Sequence, residues 1–173
     1  LSGINKPYLY IGGFGTMFAW HTEDLDLASI NYLHYGAPKF WYFIPAGDQK
    51  KFEAYVKSKY QQAFLECPQY LRHKTIVVNP YLIKEYNPSI NVTKIHHNPG
   101  EFVIIFDSVY HHGFNFGFNM AEAVNFATPS WLSRFPKFNH CKCHKDNVRI
   151  DPQFFCDNLS KSAINRSRIS QNA

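Results

Sequence analysis

The sequence predicts a mainly β fold with helical insertions: a jelly-roll, or double-stranded β-helix, in which two sheets close around a pocket. Three observations lead there. Segments of β character fall into two groups separated by a helical stretch. The first group packs four such segments into residues 8–44, too few residues for parallel crossovers, so the sheets are expected to be antiparallel. Residues able to hold a metal occur in both groups, with His21 and Glu23 in the first and His111 in the second.

In chain order, segment 8–11 is a short β run ended by Gly12-Gly13, and 14–20 reads as the next strand, carrying His21 and Glu23 at its end. Segment 29–35 is β-rich, Gly36-Ala37-Pro38 turns the chain, and 39–44 is another strand. A helix follows, with Asp48 as its N-cap and Phe52, Tyr55, Val56 and Tyr60 at helical spacing, a face for core packing. Asn79-Pro80 supplies an N-cap and first helical position for 81–85, and Asn87-Pro88 ends that helix. From Thr93 the β character returns. Gly100 precedes the apolar run 101–106, which has buried-strand length, and two more strands are expected near 113–118 and 121–127. Short helices are expected to start at Pro129 and Pro152, and residues 167–173 are polar and expected to fray.

By length this is one domain, large enough to bury a core. It divides into a β core over 1–128 with a helical insertion at about 47–90, a C-terminal helical and zinc-binding segment over 129–158, and a polar, disordered tail over 159–173. Aromatic residues make up 17% of the chain, suited to sheets and to methyl-binding pockets. No apolar run reaches the eighteen residues of a membrane-spanning helix, so no membrane partner is expected. Opening at Leu1 without a signal segment, the chain reads as a piece excised from a longer protein. The net charge of +5 describes a mildly basic surface that can draw nucleic acid non-specifically. Glu23, Asp24 and Asp26 cluster beside the metal motif, an acidic mouth suited to a cationic peptide lying near DNA. Four cysteines without a disulfide pattern indicate a reducing compartment, and the Asn-x-Ser/Thr matches at Asn91, Asn158 and Asn165 read as incidental.

The chemistry begins at His21-Thr22-Glu23. In a strand, side chains two apart share a face, so one imidazole and one carboxylate point the same way. Together with a distant histidine, His111, they make a facial triad whose open positions suit non-heme Fe(II) oxygen chemistry. Nine histidines and thirteen acids give about 0.7 chance His-x-acid matches, so context decides. The other match, His144-Lys145-Asp146, sits in a polar, turn-like segment without the apolar flanks of a dry pocket. His112 alternates to the opposite strand face and is not expected to be a ligand.

A second set, Cys67, His73, Cys141 and Cys143, offers three thiolates and an imidazole, the donors of a closed tetrahedral zinc that would staple the C-terminal segment onto the helical insertion. His140 and His144 flank the Cys-x-Cys pair and offer alternatives to His73, and three unrelated buried thiols with a core histidine are the plainer alternative. Cys156 is left over in an apolar stretch.

From Gly3 to Cys143 the chain resembles the catalytic JmjC domain of histone lysine demethylases, most closely the JmjN-containing trimethyl-lysine subfamily. The resemblance rests on residues 3–10, 18–24, 29–34, 64–74 with Tyr-Leu-Arg-His-Lys at 70–74, 113–115 and 121–126. It implies iron ligands His21, Glu23 and His111. Lys39 would pair with the distal carboxylate of 2-oxoglutarate, Asn31 would hydrogen-bond that cosubstrate, and Phe18 and Trp41 would wall its pocket. Gly3, Tyr10, Glu23 and Asn125 would approach the methylated lysine, and zinc would take Cys67, His73, Cys141 and Cys143. The implied activity is Fe(II)- and 2-oxoglutarate-dependent demethylation of lysine on histone H3 tails, by N-methyl hydroxylation and loss of formaldehyde, in the nucleus. A protein hydroxylase and a non-catalytic chromatin-binding module are the alternatives on this scaffold.

Physical chemistry fits these roles. A bound dianion needs a cation, and Lys39 lies on the strand after Asn31, where alternate residues face the pocket. A trimethylammonium cannot donate a hydrogen bond, so C–H···O contacts and aromatic faces such as Tyr10 must hold it. Asn125 lies in a β run, and a buried amide must find partners. The chain also departs from the family. It has His111-His112-Gly113 for His-Ala-Gly, Ser108-Val109 for an aromatic-Gly pair, and Ala123-Val124 where some members have Ser-Thr, a change expected to bear on methyl-state preference. The JmjN segment and the first sheet strands, with a tyrosine that helps hold 2-oxoglutarate, are expected to lie outside this chain.

Overall fold

The computed structural model describes residues 6–134 together with Cys141 and Cys143. Gly3, His140, the His144-Lys145-Asp146 match, the expected helix start at Pro152 and Cys156 lie outside the described residues.

Among the described residues eight strands form two four-stranded sheets: β1 (Tyr8–Gly12), β2 (Met17–His21), β3 (Ala28–Gly36), β4 (Lys39–Ile44), β5 (Thr93–His97), β6 (Phe102–Ile105), β7 (Tyr110–Asn115) and β8 (Asn119–Phe126). One sheet runs β1-β8-β3-β6, the other β2-β7-β4-β5, and every pair is antiparallel. This is the jelly-roll the sequence predicts. Between β4 and β5 lie α1 (Gln49–Lys59), α2 (Gln61–Glu66) and α3 (Pro80–Tyr86), and α4 (Pro129–Arg134) follows β8. Among the described residues no helix is long and apolar enough to cross a membrane.

Two apolar layers hold this arrangement. Phe52, Tyr55 and Val56 of α1 pack with Trp20, Ile44 and Tyr110 on the outer side of the second sheet, joined by Leu71, Ile76, Val78, Ile83 and Ile90. Trp20 is fully buried and its indole N–H donates to the Val78 carbonyl at 3.0 Å, so its one polar atom is satisfied. Between the sheets lie Trp41, Phe43, Val103 and Ile105, with Phe18 and Val109 against them. Each fully buried side chain of this size contributes about 1.5–3 kcal/mol.

Several sequence expectations shift. The strand expected over 14–20 begins at Met17, because Thr16 folds back on Gly13 through backbone and side-chain bonds of 3.2 and 2.7 Å and Gly15 adopts φ +72°. The strand expected at 113–118 starts at Tyr110, where pairing with Ile44 begins, and ends at Asn115. Asp48 occupies the N-cap position of α1, but its side chain makes no capping bond to the helix. Its carboxylate instead accepts from Lys51 at 2.8 Å and from the backbone and side-chain N–H of Asn91 at 2.9 and 3.0 Å, tying the start of α1 to the segment before β5. Asn79 does cap α3, accepting from Tyr81 N at 2.9 Å.

Candidate metal centre and pocket

β2 and β7 pair with Phe18 opposite Gly113 and His21 opposite His111. Three residues on one strand therefore span two on the other, a β-bulge around Ala19-Trp20. Because directly opposed residues share a face, the bulge lets Phe18 and His21 both face the space between the sheets despite their odd spacing. Trp20 turns to the α1 layer. The rings of His21 and His111 come to 4.1 Å between centroids.

Glu23 lies just past the strand in extended conformation. The turn after it is clamped. Asp26 N donates to Glu23 O at 2.9 Å, the buried Asp26 carboxylate accepts from Thr22 Oγ1 at 2.8 Å and Arg72 at 3.0 Å, and Leu25 O accepts from the Trp131 indole at 2.7 Å. Leu25 and Asp26 both hold positive φ there. This overturns the acidic mouth: Asp26 is buried against Arg72 and Asp24 is paired with Lys74 at 3.2 Å, leaving Glu23 alone facing the pocket.

One ligand atom each from His21, Glu23 and His111 lies within 4.8 Å of the others. His21 Nδ1 is 2.7 Å from the Ala19 carbonyl and His111 Nδ1 is 3.2 Å from the Val109 carbonyl. A carbonyl only accepts, so Nδ1 carries the proton in both rings and each Nε2 keeps a free lone pair, the tautomer a metal requires. Burial pushes the His21 imidazole down to about 3, helped by His111, and burial likewise lowers His111. For Glu23 burial acts to raise the pKa, but His111, His21, Ser29 and Asn125 outweigh it and hold the carboxyl below the usual range. Neutral imidazoles beside an ionised carboxylate are the protonation state in which this set can hold a divalent cation.

The triad opens on a cavity of about 370 Å³ lined by Tyr10, Phe18, Asn31, Lys39, Trp41 and Lys74, among others. Asn31 is buried and its Oδ1 has no partner among the described residues. Lys39 is only 5% exposed, which rules out a surface lysine, and burial lowers its pKa. Trp41 packs on Phe18 with centroids 4.7 Å apart and donates to His97 Nδ1 at 3.3 Å, while the other His97 nitrogen meets the Glu101 carbonyl at 2.8 Å. Tyr10 is half exposed at the mouth, and burial and Glu23 raise its phenol pKa. Asn125 sits opposite Ser29 on the inner sheet face, its amide nitrogen acting on Glu23 without an acceptor at ordinary hydrogen-bond geometry. His112 faces away, packing against Trp20 and Tyr42 with Nδ1 2.6 Å from the Phe18 carbonyl.

Several pocket residues escaped the sequence reading, Ser29, Lys74 and the Lys39 partner Asn115 among them. Lys74 reaches it from a left-handed position, φ +56°, which no sequence signal marks. Asn115 is the hydrogen-bond partner of Lys39 at 2.8 Å, and strand alternation from His111 through Gly113 would have placed it on the pocket face. A second cavity, about 390 Å³, lies between α1 and the 68–72 segment with Tyr110 in its wall. No grouped metal donors line it among the described residues, so size alone does not select the site.

The second donor set also converges. Ligand atoms of Cys67, His73, Cys141 and Cys143 lie within 4.8 Å of one another, with Cys67 and Cys141 sulfurs 3.6 Å apart and His73 Nε2 3.2 Å from Cys141 Sγ. Burial raises the Cys141 thiol, but the Cys143 backbone N–H, His73 and Cys67 outweigh it and bring it down to about 6, while Cys67 and Cys141 push Cys143 up to about 11. One thiolate already favoured among three sulfurs and an imidazole fits a tetrahedral zinc.

Fold and site together define a class: a double-stranded β-helix that gathers two histidines and a carboxylate at the mouth between its sheets. The chain belongs to the JmjC family, described as "JmjC domain, hydroxylase", which matches residues 8–126. It is 44% identical over 155 residues to lysine-specific demethylase 4B of Mus musculus, covering 90% of this chain and 14% of that protein. Lysine-specific demethylase 4D of Rattus norvegicus is 43% identical over 90% of this chain and 30% of its own length, and the probable lysine-specific demethylase 4F of Homo sapiens 41% over 90% and 24%. The chain thus spans less than a third of the length of these relatives.

Proposed function

We propose that this domain carries out Fe(II)- and 2-oxoglutarate-dependent demethylation of methylated lysine on histone H3 tails. The observation that carries the reading is the convergence of His21, Glu23 and His111 on a pocket lined by a buried lysine that has no carboxylate partner among the described residues. His21, Glu23 and His111 would hold the iron. Iron there would couple 2-oxoglutarate to O2, one oxygen atom entering succinate as CO2 leaves and the other turning an N-methyl C–H into C–OH, after which the hydroxymethyl amine would lose formaldehyde. Lys39 receives the distal carboxylate of 2-oxoglutarate, and Asn31, also in the pocket lining, hydrogen-bonds the same cosubstrate. Phe18 and Trp41 exclude water from one wall. At the mouth, Tyr10, Glu23 and Asn125, with Gly3 by resemblance, accommodate the methylammonium through oxygen and aromatic contacts that need no donated hydrogen bond. Zinc on Cys67, His73, Cys141 and Cys143 fixes the segment that carries Lys74. Nuclear placement, chromatin as partner and non-specific contact of the basic surface with DNA belong to the same proposal.

The test is formaldehyde and succinate release from trimethyl-lysine H3 peptides with iron supplied. A stable hydroxylated peptide without formaldehyde chooses the protein hydroxylase. Methyl-peptide binding without succinate chooses the non-catalytic binding module.

A further inference from the structure

The Lys39 ammonium donates to Asn115 Oδ1 at 2.8 Å, and no carboxylate lies within ion-pair distance of it among the described residues. A buried cation is thus met by a neutral amide. That amide is not free to turn. Asn115 Nδ2 donates to Thr16 Oγ1 at 2.8 Å, and the Thr16 hydroxyl proton is already committed to the Gly13 carbonyl at 2.7 Å. Thr16 Oγ1 can therefore only accept from Asn115, which forces the amide nitrogen toward Thr16 and the oxygen toward the lysine. Asn119 Nδ2 completes the set, donating to the same Asn115 oxygen at 3.0 Å and to the Ala37 carbonyl at 3.0 Å. The packing leaves no slack: a methyl on Gly12 would come within 2.5 Å of both Asn115 Nδ2 and Asn119 Oδ1.

We propose that Asn115, locked by Thr16 and Asn119, is a positioning residue that aims the Lys39 ammonium at a dicarboxylate and so sets the preference for 2-oxo dicarboxylates over 2-oxo monocarboxylates. The inference rests on the cosubstrate reading above. A neutral acceptor satisfies one of the three ammonium protons and leaves the full charge, and two donors, for an incoming carboxylate. An aspartate in its place would close an internal ion pair and compete with the ligand. Burial, which lowers the Lys39 pKa, makes that competition stronger than it would be in water.

The experiment measures binding of 2-oxoglutarate and of 2-oxobutyrate, which lacks the distal carboxylate, to the manganese-loaded chain by paramagnetic water-proton relaxation. Asn115→Asp is expected to weaken 2-oxoglutarate by about 30-fold or more and 2-oxobutyrate by less than about 2-fold. Thr16→Val, at an exposed position, removes the anchor of the amide together with the side-chain bonds to Gly13, and should show the same selectivity with a loss of about 3- to 5-fold, which keeps the test open if Asn115→Asp folds poorly. In a Lys39→Met background Thr16→Val, which brings no new charge, should add nothing. Equal loss of both ligands, no loss of either, or an effect that persists without Lys39 overturns the inference alone. Unchanged 2-oxoglutarate binding in Lys39→Met overturns the cosubstrate reading and the inference with it.

Discussion

Replacing Lys39 with methionine should stabilise the fold while destroying the site. Lys39 is 5% exposed, its amine has a neutral amide oxygen as partner, and burial depresses its pKa. Full desolvation of an ammonium costs several kcal/mol, but this one borders a water-accessible cavity, so only part of that cost applies. A charge-assisted hydrogen bond returns about 1.5–3 kcal/mol. Methionine keeps the length and the apolar stem, and Asn115 Oδ1 retains its bond from Asn119. The net expectation is a gain of about 1 kcal/mol at neutral pH, read as a higher urea midpoint with an unchanged slope for the metal-free protein. The pH dependence gives a second handle. Between the depressed folded pKa and the ordinary value of 10.5 the unfolded chain binds more protons, so wild-type stability from this group rises with pH. The penalty is fully present below that window, and the advantage of Lys39→Met should shrink as pH rises through it. A variant less stable than wild type by about 1 kcal/mol, or one whose advantage grows toward pH 10, would refute the idea that Lys39 is a strained, ligand-awaiting cation.

Three further outcomes are expected. The metal-free protein should lose stability as pH falls from 6.5 toward about 3, because the unfolded His21 takes up a proton in that window and the native one does not; a His21→Asn variant should show a shallower decline, and an identical one would contradict the burial argument. Gly113→Ala should destabilise by about 3 kcal/mol or more, since a methyl there meets the Phe40 carbonyl and the Phe18 ring, and should displace the Phe18 wall; a chemical-denaturation midpoint equal to wild type would count against the close packing of β7 on Phe18. Purified protein should carry one zinc per chain by atomic emission, and its removal by a strong chelator should lower the melting temperature by about 5 °C or more and expose Cys67 to thiol reagents; rapid thiol labelling without chelator would exclude the cluster.

Periodicity made much of this fold legible. The β character of 29–35 and 39–44 and the helical spacing of Phe52, Tyr55 and Val56 follow from local backbone geometry, and the structure keeps them. Boundaries moved where a turn satisfied backbone groups that a strand would have used, as at Gly13 to Thr16. The capping bond expected of the Asp48 side chain is absent because a carboxylate takes the strongest donors within reach, here Lys51 one helical turn on and Asn91 brought by tertiary contact. The acidic mouth failed similarly, since Arg72 and Lys74 arrive from the helical insertion to neutralise Asp26 and Asp24.

By itself the chain determined which atoms were available: two imidazoles and a carboxylate in two β groups, a lysine on an alternating strand, and three thiols with a histidine. Spacing along a strand is local, so His21 and Glu23 could be read as neighbours before any fold was known. Tertiary structure decided the rest, because the bulge in β2 sets which residue His111 opposes and the amides at 115 and 119 fix what Lys39 can face. Register and hydrogen-bond direction depend on pairings across some ninety residues of chain, and no local pattern encodes them.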